Sequence, residues 1–159
     1  MVERGLMLLL AATLAACGFH LQGAARLSPT MSITYIDAGD THTDFHRAFV
    51  SALDTAGVRI AGERAQATAI VTIKQDASGK RVLSVSAQNT PTEYEVFYTV
   101  TFVVQAADRE LLAPQTVTLT RDYSFDETAL LAKEHEEDTL RAALANDIVG
   151  IVMRRLASL

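Results

Sequence analysis

Glu93-Tyr94-Glu95-Val96-Phe97-Tyr98-Thr99-Val100-Thr101-Phe102-Val103-Val104-Gln105-Ala106 is the stretch that decides the fold. Tyr94, Val96, Tyr98, Val100, Phe102, Val104 and Ala106 share one parity, and Glu93, Glu95, Phe97, Thr99, Thr101, Val103 and Gln105 share the other. Successive side chains of a strand point to opposite faces. The stretch therefore predicts one long strand with its apolar parity on a core. Phe97 and Val103 fall on the other face, among threonines and glutamates. Ala107-Asp108-Arg109-Glu110 reads as a hairpin loop, and a partner strand follows from about Gln115 to Phe125. There Val117, Leu119, Tyr123 and Phe125 oppose Thr116, Thr118, Thr120 and Asp122. Arg121 interrupts the apolar set, so it belongs at a sheet margin or in an ion pair. Pro114 falls at the strand's start, where a missing N–H does least harm.

Upstream, Arg81 to Ala87 is extended through Val82, Leu83 and Val85, and Gln88-Asn89-Thr90-Pro91 breaks it. Ala77-Ser78-Gly79-Lys80 carries turn chemistry. Ala67 to Asp76 reads as a strand whose Ile70, Val71 and Ile73 fall on both parities, the pattern of burial on two faces. Val58 to Gln66 is a connector. A helix is expected at about 42–57, because Phe45, Ala48, Phe49, Ala52, Leu53 and Ala56 recur at three- and four-residue steps. Thr41 or Thr43 can cap its start, and Gly57 suits the left-handed residue past its end. Met31, Ile33 and Tyr35 alternate with polar neighbours in a first strand at about 31–36. Strand, helix and strand then form a crossover that usually joins parallel strands.

Downstream, a long helix is expected over roughly 134–157. Leu140, Ala143, Leu144, Ile148, Ile151, Val152 and Leu156 form its core stripe, with Ala142, Ala145, Val149 and Met153 beside them. That second set either widens the stripe or meets another protein, which makes Val149 and Met153 candidate partner contacts. Gly150 disfavours helix relative to alanine by about 1 kcal/mol, which suggests close packing there. The expected class is α+β, a mixed four-stranded sheet carrying two helices in the order β-α-β-β-β-α.

The amino terminus has a different character. Gly5–Ala16 is rich in leucine and alanine, yet shorter than the roughly 20 apolar residues of a spanning helix. It ends in Leu14-Ala15-Ala16-Cys17, small residues before the only cysteine, a lipobox-like pattern. The reading is a signal peptide over 1–16, a lipidated tether over 17–30 and a single domain over 31–159. Glu3 offsets Arg4, so the positive leader charge is small. Acyl chains on Cys17 contribute roughly 0.8 kcal/mol per buried CH₂, and one chain alone anchors marginally. Gly18 stands where aspartate would signal inner-membrane retention, which points to the outer membrane.

The formal net charge of −5 argues against broad nucleic-acid binding. With one cysteine, no internal disulfide can form. His42 and His46 have helical ligand spacing around Asp44, but no strong third ligand adjoins them. His135-Glu136-Glu137-Asp138 is not a zincin motif and suits a helix's first turn, where acids complement the dipole. Ser78-Gly79-Lys80 lacks the rest of a P-loop, and no nucleophile elbow occurs. No catalytic residues, metal or cofactor are expected, and no enzyme. Lys133 follows Ala129-Leu130-Leu131-Ala132 and could contact a phosphate as a point charge. Lys80, Arg81 and Arg121 could add to a basic patch if their strand ends converge.

Cys17-Gly18-Phe19-His20-Leu21 at the mature start, Thr92-Glu93-Tyr94-Glu95 on the long strand, and Leu131-Ala132-Lys133 before the last helix occur in a characteristic order. In these motifs, and in its order of elements, the chain resembles the LPS-assembly lipoprotein family LptE, also called RlpB. The resemblance implies an outer-membrane lipoprotein that plugs and helps assemble a large β-barrel, LptD, and takes part in lipopolysaccharide transport to the cell surface. It implies lipopolysaccharide contacts by basic residues near the strand turn and before the last helix. Lys133 matches the second position. The first falls near Ala87, which is not basic, and Arg81 or Lys80 are the substitutes. The expected location is the periplasmic side of the outer membrane and the barrel lumen. The alternative is a free periplasmic ligand-binding lipoprotein serving another envelope lipid transporter.

Overall fold

In a computed structural model, residues 27–106, 109–124 and 130–159 are described, with side chains in the last segment from His135 onward. Cys17 and the hairpin residues Ala107 and Asp108 lie outside them, as does Phe125. The elements in chain order are β1 (Ile33–Ala38), α1 (Asp44–Thr55), β2 (Arg59–Ile60), β3 (Ala69–Val85), β4 (Pro91–Ala106), β5 (Arg109–Ser124) and α2 (Leu130–Ala157). They form a five-stranded mixed sheet in the order β2-β1-β3-β4-β5. β1 is parallel to both β2 and β3, and the β3–β4 and β4–β5 pairs are antiparallel.

The α+β class and the parallel crossover stand, but the strand count rises from four to five. The extra strand is Arg59–Ile60, inside the expected connector; it pairs with Ile33 and Thr34. Two residues carry no alternation to detect. The expected turn at Ala77-Ser78-Gly79-Lys80 is also corrected. Those residues continue the ladder opposite Thr99, Tyr98, Phe97 and Val96. Gly79 serves a different purpose: a Cβ there would lie 2.7 Å from Phe97 Cζ. The missing side chain lets the Phe97 ring lie over the strand.

Pro114 sits inside β5 rather than at its start. The register jumps from Phe102↔Gln115 to Val104↔Leu112 there, a bulge that spares a ladder bond at the proline. Pro29–Met31, expected as the end of the tether and the first strand residue, is a turn of 3₁₀ helix capped by Ser28.

Thr43 caps α1, its Oγ1 accepting from His46 N at 3.0 Å. Gly57 ends the helix at φ 80°. Val58 N donates to Leu53 O at 3.0 Å and Gly57 N to Asp54 O at 2.9 Å, closing both last-turn carbonyls. Both helices contribute to the single core. Phe45, Phe49 and Leu53 of α1, Val96, Val100, Phe102 and Val104 of β4, and Leu144, Ile148, Val152 and Leu156 of α2 are buried together. Among the described residues Thr34 is the buried polar one, and its hydroxyl donates to Met31 O at 2.8 Å.

Val149 and Met153 are only 6% and 8% exposed and belong to that core. Their expected role as partner contacts is therefore corrected: the second stripe widens the first because α2 packs against both the sheet and α1. Gly150 is not a close-packing site. A Cβ there would meet only Arg154 Nη1, at 3.5 Å.

Candidate functional site

Lys80 and Arg81 are neighbours on β3, so they point to opposite faces of the sheet. Lys80 faces α2, where its Nζ lies 2.6 Å from Glu137 Oε2 and 5.6 Å from the centre of the Tyr94 ring. Tyr94 stacks on Tyr123 at 5.8 Å between centroids. The Glu137 carboxylate holds the Lys80 proton on, raising its pKa above the ordinary lysine value. Burial raises the Tyr123 phenol, so it stays neutral.

Arg81 faces the open side. It reaches Glu95 at 2.5 Å, an ion pair rather than an aligned hydrogen bond, against the buried Oε1. Arg121 lies on the helix side, in register with Val96, which is in turn in register with Lys80. Its guanidinium donates to Asp147 of α2 at 2.7 Å. Its interruption of the apolar parity is thus an ion pair between sheet and helix. The three cations do not converge into one patch: two are drawn to acids of α2, and the third lies on the opposite face. Lys133 falls in the first turn of α2 rather than in a loop before it, and its side chain lies outside the described residues.

A polar relay that sequence patterns did not mark joins the sheet to α1. Asp76 of β3 accepts from Thr43 Oγ1 and, at 2.8 Å, from Tyr98 OH. Tyr98 OH accepts from Phe45 N at 3.2 Å. Burial pushes the Tyr98 phenol far above its usual pKa, with Asp76 adding to the effect. Strand parity places Asp76 and Tyr98 on one face, but only the parallel crossover brings Thr43 to them.

His42 is exposed, with its Nδ1 3.4 Å from Asp40. Among the described residues, no three metal-ligating side chains gather, and no helix is long and apolar enough to cross a membrane. The remaining features lie at the far end of the β3–β4 hairpin. Val82, Leu83 and Val85 are 48%, 49% and 51% exposed there. The open face beyond them is polar, with Thr99 and Thr101 bonded to Thr118 and Thr116 at 3.0 and 2.9 Å.

This combination defines an α+β domain with one helix-covered sheet face, one polar sheet face and an apolar hairpin tip. The family described as "LptE: Lipopolysaccharide-assembly" matches residues 29–156, and the chain belongs to it. Its sequence is 24% identical over 146 residues to the LPS-assembly lipoprotein LptE of Pectobacterium atrosepticum, spanning 91% of this chain and 79% of that one. The fold is similar to the solution structure of a lipoprotein B from Nitrosomonas europaea, at TM-score 0.73 and 26% identity, covering 89% and 91% of the two chains. It is similar also to rare lipoprotein B from Shewanella oneidensis, at TM-score 0.69 and 22% identity, covering 79% and 94%.

Proposed function

We propose that this chain is a non-enzymatic outer-membrane lipoprotein, anchored through Cys17, that plugs and helps assemble an LptD-type β-barrel and takes part in lipopolysaccharide transport. The observation that carries the reading is the family match across almost the whole domain, residues 29–156. The surface supports it. The lumen of a large barrel is polar, and the threonine-lined open face suits such a wall. Lys80, Arg81 and Lys133 are the candidate contacts to lipopolysaccharide phosphates. Lys80 and Arg81 flank the exposed Val82, Leu83 and Val85, a pairing of cations with apolar surface that matches a phosphorylated, acylated lipid. The anchor keeps the domain beside the membrane and raises its effective concentration near the barrel.

Mild-detergent purification of the tagged chain from outer membranes tests the reading. Stoichiometric co-elution of a large β-barrel is expected. Its consistent absence would favour the free periplasmic lipoprotein. Lipopolysaccharide binding by Lys133→Glu should be weaker than by wild type, and equal binding would remove Lys133 from the contact.

A further inference from the structure

Strand β1 covers β3 only as far as Ile73. Beyond it, β3 pairs with β4 on one side and with no strand on the other among the described residues. From Ala77 to Val82 the register with β4 is unbroken, and it shifts between Val82 and Ser84, leaving Leu83 as an extra residue. Exposed edges invite pairing and are usually blunted by charge, proline or a bulge.

The sheet's other edges are treated that way. β2 has two residues, and β5 carries Pro114 and a bulge. The Ala77–Val82 edge has no proline, and its small residues Ala77, Ser78 and Gly79 leave the backbone accessible. Its two charges are engaged elsewhere, Lys80 with Glu137 and Arg81 with Glu95. The edge ends at the exposed Val82, Leu83 and Val85.

We infer that this edge accepts an added β-strand, an extended segment of the barrel partner, so the inference rests on the plug reading. Within a lumen, backbone groups cut off from bulk water must be paired. A six-residue edge is an ordinary strand length. The apolar tip would receive an apolar residue at one end of the added segment and set its register. Fully extended, the chain's own leading segment could reach the start of this edge but not its apolar tip. It enters beside Thr68, whose Oγ1 donates to Thr30 O at 2.6 Å. Val82–Val85 lies about 45–55 Å along β3 from there, whereas residues 17–26 span at most about 35 Å.

Amide hydrogen exchange on the full chain, free and in the co-purified barrel complex, tests this. Alternate amides between Ala77 and Val82 should slow at least tenfold in the complex. Ala77→Pro and Ser78→Pro provide a second measurement. Consecutive strand residues aim their N–H groups in opposite directions, so one proline removes a ladder bond to β4 and the other only the outward donor. The outward proline should leave the free chain's melting temperature nearly unchanged and cut barrel recovery at least tenfold. If the barrel co-elutes while these amides exchange as in the free chain, or the outward proline recovers the barrel fully, strand addition is overturned and the plug reading survives. If no barrel co-elutes with wild type, both fail. Protection in the free chain that grows with its concentration would assign the edge to a second copy and overturn the inference.

Discussion

Gly79 and Gly150 separate two reasons for a glycine. Gly79 makes room for the Phe97 ring at a distance no Cβ tolerates, so Gly79→Ala should lower stability unless Phe97 is also shortened. Gly150 has ordinary space around it. Gly150→Ala should raise stability by about 0.5–1 kcal/mol, because alanine costs less helix entropy; chemical denaturation measures both. The sequence marks Gly150 as an exception within a helix and reads Gly79 as turn chemistry, but it does not show the facing atom that distinguishes them. Tyr98 carries a pH consequence. Its folded-state pKa is raised, so the unfolded chain loses this proton first, near pH 10. Stability should therefore fall as pH rises above about 10, and Lys80, also raised, acts in the same direction. Thermal melts from pH 8 to 11.5 should show a shallower decline for Tyr98→Phe than for wild type.

At the scale of elements, Asp76 is the fastening between β3 and the start of α1. Asp76→Ala removes the acceptor of both Thr43 and Tyr98 and should destabilise by roughly 2 kcal/mol. Protection of α1's first amides should fall more than that of its last turn, which the Gly57 closure holds independently. Long elements with strong alternation were legible: the apolar parity of β4 is the core face, and Thr43 and Gly57 bound α1 as their chemistry required. The misread turn and the misplaced strand start share one cause. Ser78, Gly79 and Pro114 have the chemistry of turns or strand ends, but a neighbouring strand supplies a ring or a bulge that accommodates them in the ladder. The α2 stripe stayed open to two readings for a related reason. One helix touching two layers needs a wide apolar surface, and width alone does not reveal whether the second layer is the same chain.

Across the whole molecule, candidate contacts were legible as residue types but not as a group. Lys80, Arg81 and Arg121 are close in the sheet, yet parity and the acids of α2 divide them. Cys17 remains the proposed attachment to the membrane. Cys17→Ala should leave the precursor uncleaved and unacylated, and shift the chain from outer-membrane to other fractions; unchanged fractionation would mean that partner contacts suffice. The position of α2 after every strand has a consequence for biogenesis. The apolar side of the sheet, through Val96, Val100, Phe102 and Val104, is sealed by residues between Leu144 and Leu156. During synthesis or export those follow every strand, so until they emerge α1 alone covers this side and part of it stays open to its surroundings. Closure of the core therefore waits for the segment after β5, and the interval before it is when a chaperone has something to hold.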